Sequence, residues 1–127
     1  MTFVLSKRSR ARLVGVHPAL IAVVERALEL TPVDFTITEG LRSVTRQKAL
    51  KAAGASKTMN SRHLTGHAVD VAALVEGQVR WDWPLYGRIA AAFKQASLEL
   101  DTPIIWGGDW TSLRDGPHFE LDRKRFP

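Results

Sequence analysis

Ser61-Arg62-His63-Leu64-Thr65-Gly66-His67-Ala68-Val69-Asp70 is the stretch on which the fold turns. Its first half is polar and without period, which reads as loop. From Ala68 the chain becomes apolar to Leu74, which reads as a strand. Alternate residues of a strand share a face. Val69 and Val71 therefore point to a core, and Asp70 points the other way. A carboxylate set between two valines is hard to explain as a solvated charge, and if buried it needs a partner. A second stretch, Asp115-Gly116-Pro117-His118-Phe119-Glu120, has the same logic. Over a short strand, Pro117 to Leu121, His118 and Glu120 share one face, while Phe119 and Leu121 take the other.

Working outward, the spacing of Leu20, Val24, Ala27 and Leu28 predicts a helix from Pro18 to Leu30, with Pro18 at its first position and Pro32 ending it. Phe35 and Ile37 alternate with Thr36 and Thr38, a half-buried strand from Asp34 to Glu39. Ser43 caps a helix running to about Ala53, stopped by Gly54. Asp82 caps another, with Leu85, Ile89, Phe93, Ala96 and Leu100 as its stripe. Pro103 to Trp106 is a short strand and Gly107 to Gly116 a loop. Helices at both ends and strands between and after them predict an α+β fold, helices packed on a small, mostly antiparallel sheet. The 127 residues suit one domain, 1–127.

Composition narrows the chemistry. There is no cysteine, so disulfides and thiolate ligands are excluded and any metal site is built from His, Asp and Glu. The net charge of +5 points to an anionic partner or simply to solubility. Basic residues are densest at Lys7, Arg8, Arg10 and Arg12 and again at Arg123, Lys124 and Arg125. The N-terminus lacks the apolar run of a secretory signal, and nothing approaches the roughly 18 apolar residues of a membrane span. The expectation is a protein made in the cytoplasm, without stable membrane insertion and monomeric. No recognition-helix motif or RNA-binding aromatic signature accompanies the charge, so no nucleic-acid partner is expected.

Two histidines and one aspartate at loop-to-strand junctions suit zinc, with bonds of roughly 2.0–2.2 Å and a fourth position for water. Asp115, beside the flexible Gly116, is placed to take a proton from that water. Ordinary polar loop residues remain the alternative on spacing alone. His63-Leu64-Thr65-Gly66-His67 is not a helical zincin motif: Leu64 stands where a Glu is needed and Gly66 opposes a helix. His67 is therefore left off the metal.

SRHLTGHAVD resembles the Ser-x-His-x-x-Gly-x-Ala-x-Asp signature of the VanY and D-Ala-D-Ala carboxypeptidase-like zinc peptidases. These belong with the LAS metallopeptidases, together with lysostaphin-type enzymes and the hedgehog signalling domain. The resemblance covers nearly the whole chain. It implies one zinc ion on His63, Asp70 and His118, and Asp115 as catalytic base. EGLRSVTRQKALKAAG resembles the family segment with a substrate-facing Arg and a following Gln, here Arg42 and Gln47. The opening SKRSRARLVGVHPALIAVVERALEL and the WGGDW stretch are most similar to phage L-alanyl-D-glutamate endopeptidases. Only Thr111 to Arg114 separate Trp110 from Asp115, so the longer acidic segment that gives some relatives calcium control is missing, and no such site is expected.

The implied activity is hydrolysis of peptidoglycan stem peptides at the L-alanyl-D-glutamate bond. A phage lysis enzyme would do this, waiting in the host cytoplasm and reaching the periplasmic wall through a holin-type pore. Arg42 is assigned to catalysis and substrate, with an internal salt bridge to Glu39 as its alternative. Ser61, Asp109 and Trp110 are assigned to substrate, Glu120 to orienting His118, Gln47 to helix packing, and Trp81, Trp83 and Tyr86 to packing. The competing functions are a D-Ala-D-Ala carboxypeptidase or dipeptidase and a non-catalytic zinc module. The presence of Asp115 argues against the latter.

Overall fold

The computed structural model describes residues 3–56 and 58–127. Four helices, α1 (Lys7–Arg12), α2 (Pro18–Leu30), α3 (Val44–Ala52) and α4 (Trp83–Glu99), accompany five strands, β1 (Asp34–Glu39), β2 (Ala68–Val75), β3 (Gln78–Arg80), β4 (Ile104–Trp106) and β5 (His118–Leu121). All strand pairs are antiparallel, in the order β1-β2-β5-β4 with β3 beside β2. This is the expected α+β architecture. β2 is its centre. It pairs β1 along its length, β5 through residues 68–70 and β3 through residues 73–75.

One face of the sheet carries Phe35, Ile37, Val69, Val71, Ala73, Phe119 and Leu121 into the core. α2 and α4 cover that face with Leu20, Val23, Val24, Ala27, Ile89, Phe93 and Ala96. Phe93 stacks on Phe119 with centroids 3.9 Å apart. Asp70, His118 and Glu120 lie in the alternate positions and so face away from this core. Burying these apolar side chains, at about 1.5–3 kcal/mol each, fixes the register. A slip of one residue would drive Asp70 and His118 into the helices.

Three local features went beyond the sequence reading. α1 has no apolar stripe. Ser6 caps it, accepting from the Ser9 amide at 3.0 Å. It exists because it covers the edge of β1: the Ile37 amide donates to Ser9 Oγ at 2.9 Å, and Arg12 donates to the Ile37 carbonyl at 2.9 Å. An open strand edge needs such partners. Part of the N-terminal basic cluster is thus structural. β3 follows a two-residue turn, Glu76 and Gly77, both at positive φ (53° and 78°), as a tight hairpin requires. Arg62–Thr65, expected as loop, forms a single 3-10 turn capped by Ser61 and closed by Gly66 at φ 75°.

Candidate metal and peptidase site

The site begins with β2 and β5. Their pairing sets Asp70 opposite His118. The Arg62–Thr65 turn brings His63 over the same face. One ligand atom from each of His63, Asp70 and His118 lies within 4.8 Å of the others, a group that can hold a metal ion. His63 Nε2 and His118 Nδ1 each stand 3.2 Å from Asp70 Oδ1.

The remaining imidazole nitrogens decide which atoms face the centre. His63 Nδ1 donates to the Gly40 carbonyl at 2.8 Å. Its Nε2 is buried and has no aligned hydrogen-bond partner among the described residues, despite the nearness of Asp70. A buried acceptor without a donor costs stability unless something else fills its lone pair. His118 Nε2 donates to Glu120 Oε1 at 2.9 Å, leaving Nδ1 toward Asp70. Histidine ligands are usually held this way, with the second nitrogen on a carboxylate or carbonyl. Glu120 therefore orients His118, as the strand alternation predicted. The donor set of two nitrogens and one carboxylate oxygen fits a zinc-type ion.

The charges are tightly coupled. Burial opposes ionisation of Asp70, but the two imidazoles beside it hold its carboxyl well below the usual range. Burial likewise opposes protonation of His118, yet Asp70 and Glu120 outweigh it and raise its pKa to about 9. Asp115 moves the other way: burial and the nearby Asp70 charge push its carboxyl up. A carboxylate kept more basic than usual beside a metal-ligand cluster suits a general base.

A loop clasp positions Asp115. Its amide donates to the Gly107 carbonyl at 2.9 Å, and its own carbonyl accepts from the His118 amide at 3.2 Å. Trp106 Nε1 donates to the Gly116 carbonyl at 2.7 Å. Trp106 is thus a loop anchor rather than part of the cleft wall.

Arg42 is only 9% exposed in its side chain. Its guanidinium grips Glu39 through two bonds, 2.6 and 2.7 Å, and donates to Gln47 Oε1 at 2.7 Å. The register irregularity between Ile37 and Glu39 places Glu39 opposite Asp70, and Arg42 Nη2 lies 3.8 Å from Asp70 Oδ2. The internal salt bridge is therefore real. Gln47 is fully buried and more than packing: its amide nitrogen donates to Ser56 Oγ at 2.8 Å and to the Thr58 carbonyl at 2.5 Å. It ties Arg42 to Ser56 and Thr58, which line the cleft.

The cleft has a volume of about 550 Å³. Arg42, Ser61, Trp110 and Asp115 line it together with the three candidate ligands. Asp109 does not: at the end of the 3-10 turn Gly107–Asp109 it is exposed and pairs with Lys94 at 2.8 Å. His67 also stays outside, its Nδ1 2.6 Å from Thr65 Oγ1. Trp81 and Trp83, assigned to packing, are 62% and 43% exposed. Trp81 stacks on the buried Tyr86, and Arg114 lies over the Trp83 ring. Arg62 and Arg123, which no motif in the sequence marks, also line the cleft.

Known proteins share this arrangement of elements. A family model described as phage L-alanyl-D-glutamate peptidase matches residues 1–126. The L-alanyl-D-glutamate peptidase of Escherichia phage T5 is 38% identical over 97% of this chain and 92% of that protein. The peptidoglycan L-alanyl-D-glutamate endopeptidase CwlK of Bacillus subtilis is 30% identical over 70% of this chain and 61% of its own length. The crystal structure of the L-Ala D-Glu endopeptidase ChiX of Serratia marcescens superposes with a TM-score of 0.93 at 47% identity, covering 97% of this chain and 92% of that one.

Proposed function

Because this chain belongs to the phage L-alanyl-D-glutamate peptidase family, we propose that it is a zinc-dependent endopeptidase that hydrolyses the L-alanyl-D-glutamate bond of peptidoglycan stem peptides during phage lysis. The observation that carries this reading is the convergence of His63, Asp70 and His118 in one cleft with a half-buried Asp115. His63, Asp70 and His118 would hold a zinc ion, which when bound would supply Lewis acidity toward the scissile carbonyl and lower the pKa of water toward neutrality.

The chain's own groups do the rest. Asp115 accepts the proton of the attacking water and passes it to the leaving amine of D-glutamate. Arg42 is held rigid by Glu39 and Gln47, so its remaining Nη protons are aimed before substrate arrives. Preorganised donors of this kind favour a carbonyl oxygen as it gains negative charge. Ser61 and Trp110 are assigned to holding the peptide, and Asp109 is dropped from that role.

The described residues share one hydrophobic core, which supports reading 1–127 as one catalytic domain; that it acts as a monomer is part of the proposal. No helix among them is long and apolar enough to cross a membrane. Accumulation in the host cytoplasm and release through a membrane pore complete the proposal. Mass spectrometry of purified peptidoglycan treated with the zinc-loaded protein tests it. New N-terminal D-glutamate with intact glycan is expected, and a strong chelator should abolish it. Free D-alanine alone would point to a carboxypeptidase, and new reducing sugar ends to a glycosidase.

A further inference from the structure

Among the described residues, three arginines line the cleft: Arg42, Arg62 and Arg123. They are not equivalent. Arg42 is neutralised by the two-bond grip on Glu39. Arg62 is buried to 10% exposure in its side chain and spends Nη2 on the carbonyls of Leu121 and Phe126. Arg123 is 63% exposed. Both Arg62 and Arg123 point their Nε at the same oxygen, Glu120 Oε2, at 3.9 and 3.8 Å. Those distances are too long for hydrogen bonds. The other Glu120 oxygen is already taken by His118. Among the described residues Asp122 makes no ion pair with Arg123, and its Oδ1 takes the Lys124 amide at 2.8 Å. Glu120 thus faces two guanidinium groups, with the Asp122 carboxylate also within electrostatic reach of Arg62, and Arg123 is the exposed, loosely held side chain of the pair.

A stem peptide brings a matching group. Its D-glutamate continues through the γ-carboxyl, so its α-carboxylate is free. That carboxylate is separated from the scissile carbonyl carbon only by the leaving nitrogen and Cα. Arg123 lies beyond the metal-facing His118 by one carboxylate, that of Glu120. From the cleft wall an exposed arginine can turn toward that carboxylate, and its planar fork matches a carboxylate in two bonds.

Resting on the peptidase reading, we propose that Arg123 is a specificity-determining residue that receives the free α-carboxylate of the D-glutamate on the leaving side of the scissile bond. Arg62 backs it by sharing Glu120, so that Arg123 can leave that carboxylate without stranding a buried negative charge.

The test uses the zinc-loaded enzyme and two synthetic peptides, N-acyl-L-alanyl-D-glutamate linked through its γ-carboxyl to a lysine amide. One keeps the α-carboxylate, and the other carries an α-carboxamide there. Wild type should prefer the acid by roughly tenfold or more in kcat/KM, the scale of a charged hydrogen-bonded contact. Arg123→Gln should bring the two peptides near parity, mostly by raising KM for the acid, and Arg123→Lys should recover part of the preference. Zinc content measured on each variant separates this from damage to His118 through Glu120. Equal cleavage of both peptides by wild type, or an undiminished preference in Arg123→Gln, would overturn the assignment. Cleavage of neither peptide by a zinc-loaded wild type that also leaves whole peptidoglycan intact would overturn the peptidase reading itself.

Discussion

Replacing Gly107 by alanine tests whether one backbone approach sets the catalytic geometry. Gly107 does not need glycine for its torsion, since its φ is not positive. It needs glycine for space. A Cβ there would overlap the Asp115 carbonyl oxygen and stand 3.1 Å from both Asp115 Cβ and His118 Cβ. Carbon atoms at ease sit about 3.5–4.0 Å apart, so each neighbour must retreat by about half an ångström and the carbonyl by more. Retreat is obstructed, because the Asp115 amide is bonded to Gly107 itself and the Asp115 carbonyl to the His118 amide. The methyl group therefore moves the proposed base and a proposed ligand together. Sites tolerate about 0.5 Å, and an ångström of misplacement costs about a hundredfold. Turnover of Gly107→Ala should fall by roughly ten- to a hundredfold. Overpacking of about 1–3 kcal/mol should lower Tm by roughly 3–10 °C. Steady-state kinetics on a soluble stem peptide, with a melting curve and zinc content, would check this. Gly87 supplies the contrast: it lies inside α4 with nothing near its absent side chain, so Gly87→Ala should raise Tm, gaining about 1 kcal/mol. Near-normal turnover in Gly107→Ala would refute the reasoning.

Other outcomes follow from the same geometry. Asp115→Asn should keep the metal and the fold but lose at least about a hundredfold in turnover; loss of zinc from this variant would make Asp115 a ligand instead. His67→Ala should keep its zinc, as direct metal analysis can show. His118 must lose its Nδ1 proton to bind metal, and its pKa is raised to about 9. Zinc binding at pH 7.5 should therefore release about one proton per chain, read by calorimetry in buffers of different ionisation enthalpy. The same raised pKa stabilises the metal-stripped protein fully below about pH 6.5, and that contribution is lost as pH rises through about 9. Its Tm should drop across that window, whereas a flat or rising Tm would contradict the charge arrangement. Finally, activity on whole cell walls should fall with added salt more than activity on a short soluble peptide, if the net positive charge guides the enzyme to an anionic polymer.

Much of the fold was legible because apolar periodicity is local. α2, α4, β1 and β2 were readable from their stripes and alternations, and the Ser43 cap and Pro18 at a first helical position marked starts. α1 was not, since its reason for existing is the edge of β1, remote in sequence. The β3 hairpin did carry a signal, the Glu76-Gly77 pair between Val75 and Gln78, which is weaker than Asn-Gly and was passed over. Among the site residues, strand alternation alone set Asp70, His118 and Glu120 on one face. It could not say that Asp109 turns outward to Lys94. Nor could it reveal that Gly107 touches Asp115.

By itself the sequence determined the chemistry on offer: no thiols, histidines and carboxylates at two strand starts, and an alternation that turns them away from the core. Tertiary structure decided how that chemistry is aimed. Which nitrogen of His63 faces the centre depends on the Gly40 carbonyl, and which nitrogen of His118 does so depends on Glu120. Whether Arg42 or Arg123 is free to meet a substrate charge depends on where Glu39 and Glu120 stand. Side-chain type and strand period are local properties, written residue by residue. Hydrogen-bond partners and charge balance are pairwise properties of residues that only the folded chain brings within a few ångströms.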